Sequence, residues 1–231
     1  MIIHRPFNEL GAANHGWLDA RHHFSFANYY DPKHMGWGAL RVWNDDAIAP
    51  GTGFPTHPHA NMEIITYVRE GAITHQDSLG NKGRTLAGDV QVMSAGTGIR
   101  HAEYNLEDVT TRLFQIWIMP DEDGLSPSWG TQPFPKATGQ LTVLASGYAQ
   151  DTNALPIRAK ARVLGAHLEA GSSLSYQLEP GNLAYLVPAK GQLRINGLEL
   201  QERDGAAIKD ERELHITALS DTELVLVETA P

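Results

Sequence analysis

Two short pairs in this chain could hold a metal ion: His57-Pro58-His59 and His101-Ala102-Glu103. Residues two apart in a strand face the same side, so each pair can offer two donor groups to one point. Pro58 then faces away, a placement tolerated at the start or edge of a strand. Two such strands facing one another would bring together three neutral imidazoles and one carboxylate. Borderline nitrogen and hard oxygen suit a divalent transition-metal ion, namely Fe, Ni, Mn, Cu or Zn. The chain has no cysteine, which removes thiolate ligands, disulfides and a cysteine nucleophile together. Four protein ligands leave up to two positions open on an octahedral ion, as substrate chelation and O2 chemistry require. A competing reading makes the same residues polar groups at a barrel rim with no metal, and short motifs of this kind also arise by chance.

The surrounding residues decide between these readings. The run Gly51-x5-His57-x-His59-x3-Glu63, ending at Gly71, precedes Gly88-x5-Ser94-Ala95-Gly96 and His101-x3-Asn105. This resembles the paired motifs of the cupin superfamily. Three segments narrow it: His57-Pro58-His59, Met93-Ser94-Ala95-Gly96-Thr97-Gly98-Ile99-Arg100-His101-Ala102-Glu103, and Leu113-Phe114-Gln115-Ile116-Trp117-Ile118. They resemble the pirin family. The segments Phe24-Ser25-Phe26-Ala27-Asn28-Tyr29-Tyr30-Asp31-Pro32 and Leu40-Arg41-Val42-Trp43-Asn44-Asp45-Asp46 are similar to its bacterial members. The resemblance covers about the first 120 residues of the 231; the second half matches only in general pattern.

The resemblance implies an all-β bicupin, with two antiparallel double-stranded β-helix (jelly-roll) barrels in one chain and the metal in the first. It also implies a metal-dependent dioxygenase similar to quercetin 2,3-dioxygenases, which opens the heterocyclic ring of flavonols with O2. The implied ligands are His57, His59, His101 and Glu103, with Glu103 also the catalytic base. Because eukaryotic pirins act as nuclear transcription cofactors, the alternative is a metal-occupied regulatory module that binds proteins or senses redox state. Many cupins take their carboxylate from the first motif, but that place here is Ile64, with Glu63 one position off. A one-residue shift turns a strand side chain to the opposite face, and the pirin pattern assigns Glu103 instead. Since imidazoles titrate near ~6.5 and bind metal only when neutral, metal retention is expected to weaken below about pH 6.

The elements that must position these residues are strands. Residues 40–44, 62–70, 89–95, 112–119, 162–169, 183–187, 192–195, 198–201, 213–217 and 223–228 are short, β-branched or alternating, with Gly, Pro, Asn and Asp between them. Asn196-Gly197 predicts a two-residue hairpin turn. Residues 120–139 hold Asp121, Glu122 and Asp123 with Pro120, Pro127, Pro133 and Pro135, and read as a linker or long surface loop. A weak repeat flanks it: Gly71, a turn at 78–81 and Gly88-Asp89, then Gly191, Asn196-Gly197 and Asp204-Gly205. The expected units are therefore residues 1–137, carrying the metal, and 138–231, without one.

Other residues receive plainer readings. His22-His23 is consecutive, so its rings point apart and serve as surface or core groups. His4, His15, His34, His75, His167 and His215 are isolated. Asn105 and Gln115 are candidate partners for the imidazole N–H groups. Phe24, Phe26, Phe54, Met62 and Trp117 could line an aromatic pocket or simply fill a barrel. Asp45-Asp46 reads as a solvated turn. Net charge is -9, against nucleic acid or an anionic membrane surface as partner. Residues 1–17 have no apolar signal-peptide core and no apolar run nears the ~20 residues of a span, so a cytoplasmic monomer is expected.

Overall fold

Runs of Val, Ile, Leu and aromatic residues broken by glycine turns form strands almost throughout the computed structural model, which describes residues 1–231 except Pro135 and Ala137. Helix among the described residues is confined to a 3-10 turn at Phe7–Glu9, and none is long and apolar enough to cross a membrane.

The described residues form two seven-stranded and two four-stranded sheets. The first large sheet runs in the order Ser128–Gln132, Val90–Ser94, Glu63–Glu70, Thr111–Ile118, Leu40–Ile48, Leu18–His22 and Gly11–Asn14. Gly53–His59, Ile99–Tyr104, Ala72–Asp77 and Lys82–Leu86 make the small sheet that closes over it. The second half repeats the plan. Leu183–Lys190, Thr222–Thr229 and Ala161–Leu168 are central in its large sheet, and Ser173–Gln177, Glu213–Ala218, Leu193–Ile195 and Leu198–Leu200 make its small one. The architecture is the all-β bicupin. Asn196 and Gly197 both have positive φ, 44° and 89°, in the hairpin that sets Ile195 opposite Leu198, as a type I′ turn demands.

The two large sheets pack face to face. Trp43, Ile65, Phe114 and Ile116 of the first share one core cluster with Val163, Tyr185, Val187 and Val225 of the second. Period-two alternation gives each central strand a second buried face. Thr111–Ile118 thus sends Phe114 and Ile116 between the barrels, and Gln115 and Trp117 into its own barrel. With both faces covered, such strands read as almost continuous apolar runs. Asp45 crosses the same interface, accepting hydrogen bonds from Arg69 and Arg203. Asp45 and Asp46 both lie buried within Leu40–Ile48, so the expected solvated turn is instead the second half of a central strand.

Two further expectations change. Residues 120–139 are not all loop: Ser128–Gln132 pairs antiparallel with Val90–Ser94, Ser128 opposite Ser94 and Gln132 opposite Val90. An edge strand five residues long, flanked by Pro127 and Pro133, is held by backbone hydrogen bonds and carries little side-chain periodicity. Pro135 and the boundary after residue 137 lie outside the described residues. The first strand, Ile2–Arg5, crosses over to pair with Gly205–Ile208, Ile2 opposite Ile208. It completes the sheet of the second barrel.

The second barrel is filled by Leu164, Leu186, Leu193, Ile195 and Ile216. Among the described residues, both groupings of three or more His, Asp or Glu donors lie in the first barrel. Elemental analysis of the purified protein is therefore expected to give no more than one tightly held ion per chain; two would place a site in the second barrel.

Candidate metal centre

Both histidine-bearing strands sit in the small sheet of the first barrel. They are hydrogen-bonded neighbours, rather than strands facing across a barrel: His101 lies opposite His57 and Ile99 opposite His59. Beyond His101 the register slips, and Glu103 pairs with Phe54. The extra residue in the stretch 54–57 is a β-bulge, a feature that re-aims neighbouring side chains. Gly53 permits the close crossing there, because a Cβ on it would lie 2.2 Å from the Glu103 carbonyl oxygen.

The three imidazoles converge. Ring centroids are 4.5 Å apart for His57 and His101, 4.8 Å for His57 and His59, and 5.0 Å for His59 and His101. His57 Nε2 and His101 Nε2 are 3.0 Å apart. Two nitrogens bound at right angles to one ion at about 2.1 Å would be about 3 Å apart, so the spacing fits a shared ion. Two of the three rings are held toward the neutral form that binds metal. Burial first, and then the neighbouring His57, hold His59 down at about 4; burial and the same cluster hold His101 at about 2. The Pro55 carbonyl fixes the tautomer of His57, accepting from Nδ1–H at 2.7 Å and leaving the lone pair on Nε2.

Glu103 is brought to the same region but belongs to an overlapping group with His101 and His75, whereas the tight trio is His57, His59 and His101. Its carboxylate accepts from Gln91 Nε2 at 2.5 Å, Gln115 Nε2 at 2.6 Å and Thr66 Oγ1 at 3.3 Å. Burial raises it to about 7, despite the three donors that favour the ionised form. Glu63 is elsewhere: it accepts from Ser94 Oγ at 2.6 Å, while its neighbour Ile64 lines the cavity, as strand alternation requires.

Sequence reasoning set His75 aside as isolated, yet its Nδ1 is 3.4 Å from His101 Nδ1. Its Nε2–H donates to Asp77 at 2.9 Å, and its ring stacks on Trp129 at 4.7 Å. Burial tends to raise Asp77, but donors from His75, Asn81 and Leu79 hold it below the usual carboxylate range. The missed signal was the His75-x-Asp77 spacing, which puts both side chains on one strand face. Asn105, by contrast, donates to the Ile48 and Val109 carbonyls; it braces a loop and does not touch the imidazoles. Gln115 does reach the site, through Glu103.

A cavity of about 710 Å³ opens beside the imidazoles, within the range of small-molecule sites. Trp17, Phe26, Tyr29, Phe54 and Trp117 give it aromatic walls, and Trp117 meets His59 edge-on at 5.0 Å. Phe24 belongs to the inter-barrel core and Met62 packs near Ile64 and Met93, so neither of these two expected lining residues is part of the wall. His22 and His23 do point apart: His23 hydrogen-bonds Tyr185 of the second barrel at 2.8 Å, and His22 pairs with Asn44 at 2.8 Å on the cavity wall.

Comparison with known proteins returns one consistent answer. The family pattern described as Pirin matches residues 4–118, and the one described as Quercetinase C-terminal cupin domain matches 143–229. A pirin-like protein of Caulobacter vibrioides is 66% identical over the full length of both chains. The quercetin 2,3-dioxygenase of Escherichia coli K12 is 46% identical, again over all of both chains. The crystal structure of a bacterial pirin from Escherichia coli in complex with nickel(II) superimposes with a TM-score of 0.95 at 46% identity, covering all of both chains.

Proposed function

Because this chain belongs to the pirin family, we propose that it is a metal-dependent dioxygenase that cleaves the heterocyclic ring of a flavonol such as quercetin with O2. The observation that carries this reading is the convergence of three imidazoles on the wall of an aromatic-lined cavity. The Escherichia coli relative named quercetin 2,3-dioxygenase supports the same substrate class.

In this reading one divalent ion, of Fe, Ni, Mn, Cu or Zn, is held by His57, His59, His101 and Glu103. An ion held there would supply Lewis-acid chemistry that lowers the pKa of a substrate hydroxyl. Residues 1–137 form the metal-bearing unit and 138–231 the unit without metal, with Ile2–Arg5 lent to the second. Glu103 takes the proton of the substrate hydroxyl as general base. Gln91 and Gln115 orient its two oxygens, while Trp117 and Phe54 hold the flat substrate and exclude water. Asp77 and His75 fix His101: with Asp77 accepting from His75 Nε2–H, His75 Nδ1 is left to accept from His101 Nδ1–H, and the Nε2 lone pair faces the ion.

This last role has its own expected outcome. His75→Ala should weaken metal binding roughly 10- to 100-fold, as loss of a ligand's outer partner generally does. Competition with a chelator reads it directly, and an unchanged affinity would remove His75 from the site.

The function itself is tested by adding quercetin anaerobically to the metal-loaded chain and then admitting O2. Expected are a shift of the flavonol absorbance on binding and its bleaching with O2 uptake, at about 1–10³ turnovers per second. Bleaching no faster than with free ion at equal concentration would refute the reading and favour the regulatory module.

A further inference from the structure

Asp46 is a second carboxyl on the cavity wall, and the reaction just described does not use it. It lies in the middle of Leu40–Ile48, opposite Ala20 on one side and Leu113 on the other. Two apolar register neighbours and hydrogen bonds along both edges leave its backbone no freedom to turn away. Two residues earlier on the same face, Asn44 is engaged by His22. Two residues later the face ends in the buried Ile48. Asp45, pointing to the other face, takes the guanidinium groups of Arg69 and Arg203.

Asp46 has nothing comparable. Only 3% of the residue is exposed. Its Oδ1 is sealed from solvent without a hydrogen-bond partner among the described residues. Asp46 is also one of the residues that line the cavity. A buried polar group without a partner opposes folding by the full penalty of its desolvation. Groups of that kind mark sites where the missing partner is a ligand.

We propose that Asp46 is a specificity-determining residue that hydrogen-bonds a hydroxyl group of an aromatic ligand, so that the cavity selects hydroxylated arenes over plain ones. The aromatic identity of that ligand rests on the function proposed above; the hydrogen bond rests on the unpartnered Oδ1. Burial, with the charges of Asp45 and Glu103, raises the Asp46 carboxyl well above its ordinary range. A protonated carboxyl both donates to and accepts from a hydroxyl, and an ionised one still accepts. A site built to pair with a hydroxyl rejects an analogue that lacks it, because the protein group is then left unpaired.

The test uses the full chain as purified, titrated with 2-naphthol and with the near-isosteric 2-methylnaphthalene and followed by protein NMR. Neither probe requires O2 or turnover, so the outcome is independent of whether quercetin is bleached. Wild type is expected to prefer 2-naphthol by about tenfold or more, the size of one hydrogen bond. Asp46→Leu should lower that preference about tenfold, and Asp46→Asn, which still donates and accepts, should keep most of it. Both variants should melt no lower than wild type, because the carboxyl stabilises nothing in the protein. A wild type that binds neither probe or does not discriminate, a Leu variant with the wild-type preference, or a large fall in melting temperature in Asp46→Asn would each overturn the proposal.

Discussion

Replacing His101 by alanine is expected to leave the protein without tightly held metal and without flavonol bleaching. No other residue of the site has so many roles. Its Nε2 lies 3.0 Å from His57 Nε2, and its Nδ1 lies 3.4 Å from His75 Nδ1. Both donor groupings of the first barrel include it. Loss of an outer partner such as His75 weakens a metal site by 10- to 100-fold; loss of a ligand should exceed that. The fold should survive, because His101 lies in a small sheet beside the cavity while the main core is formed between the two large sheets. Metal content after gel filtration and a melting curve check the two halves of this statement. Full metal content in a folded variant would show that the three imidazoles are not the ligands.

The second large effect is a pair of opposite signs. Glu103→Gln should weaken metal binding at pH 8 yet stabilise the metal-free protein. Glu103 is raised from 4.5 to about 7 in the metal-free protein. Its contribution to folding is thus fully present below pH 4.5 and lost as pH rises through 7. That contribution is roughly 3 kcal/mol, lost because the ionised form is buried without a counter-ion. A bound cation reverses the balance. Metal affinity should rise about tenfold per pH unit up to pH 7, as the ligand must shed its proton, and level off above. In Glu103→Gln the part of that slope carried by this carboxyl should be lost. Below about 4, where His59 takes a proton, both proteins should lose metal steeply. Glu63→Gln should behave as wild type in metal binding. Affinity measured by chelator competition across pH decides the matter; a slope unchanged in Glu103→Gln would show that Glu103 is not a ligand.

The pH profile also shows where sequence reasoning stopped. A free imidazole titrates near ~6.5, but burial moves His59 to about 4 and His101 to about 2. The shift depends on how much low-dielectric protein surrounds each ring, a quantity that no local motif contains.

What could be read from the residues was what depends on short-range order. The alternation of side chains along a strand pairs His57 with His59 and His101 with Glu103, and it turns Glu63 away where Ile64 faces the cavity. The Asn196-Gly197 turn and the central strands of both barrels follow from local backbone preference and apolar runs. Everything that required a partner far along the chain was decided by the tertiary structure. Ile2–Arg5 pairs about two hundred residues away with Gly205–Ile208; Ser128–Gln132 is a strand because Val90–Ser94 offers it an open edge. His75 became a neighbour of His101 only through the pairing of Ala72–Asp77 with Ile99–Tyr104. Asp45 and Asp46, polar and adjacent, looked like a solvated turn. Packing of the two halves set Arg203 beside Asp45, which Arg69 of its own sheet also holds, and closure of the barrel left Asp46 buried on the cavity wall with its Oδ1 unpartnered among the described residues. The physical reason is the same in each case. Strand faces and turns are set by neighbours in sequence, but burial, charge pairing and proton affinity are set by neighbours in space.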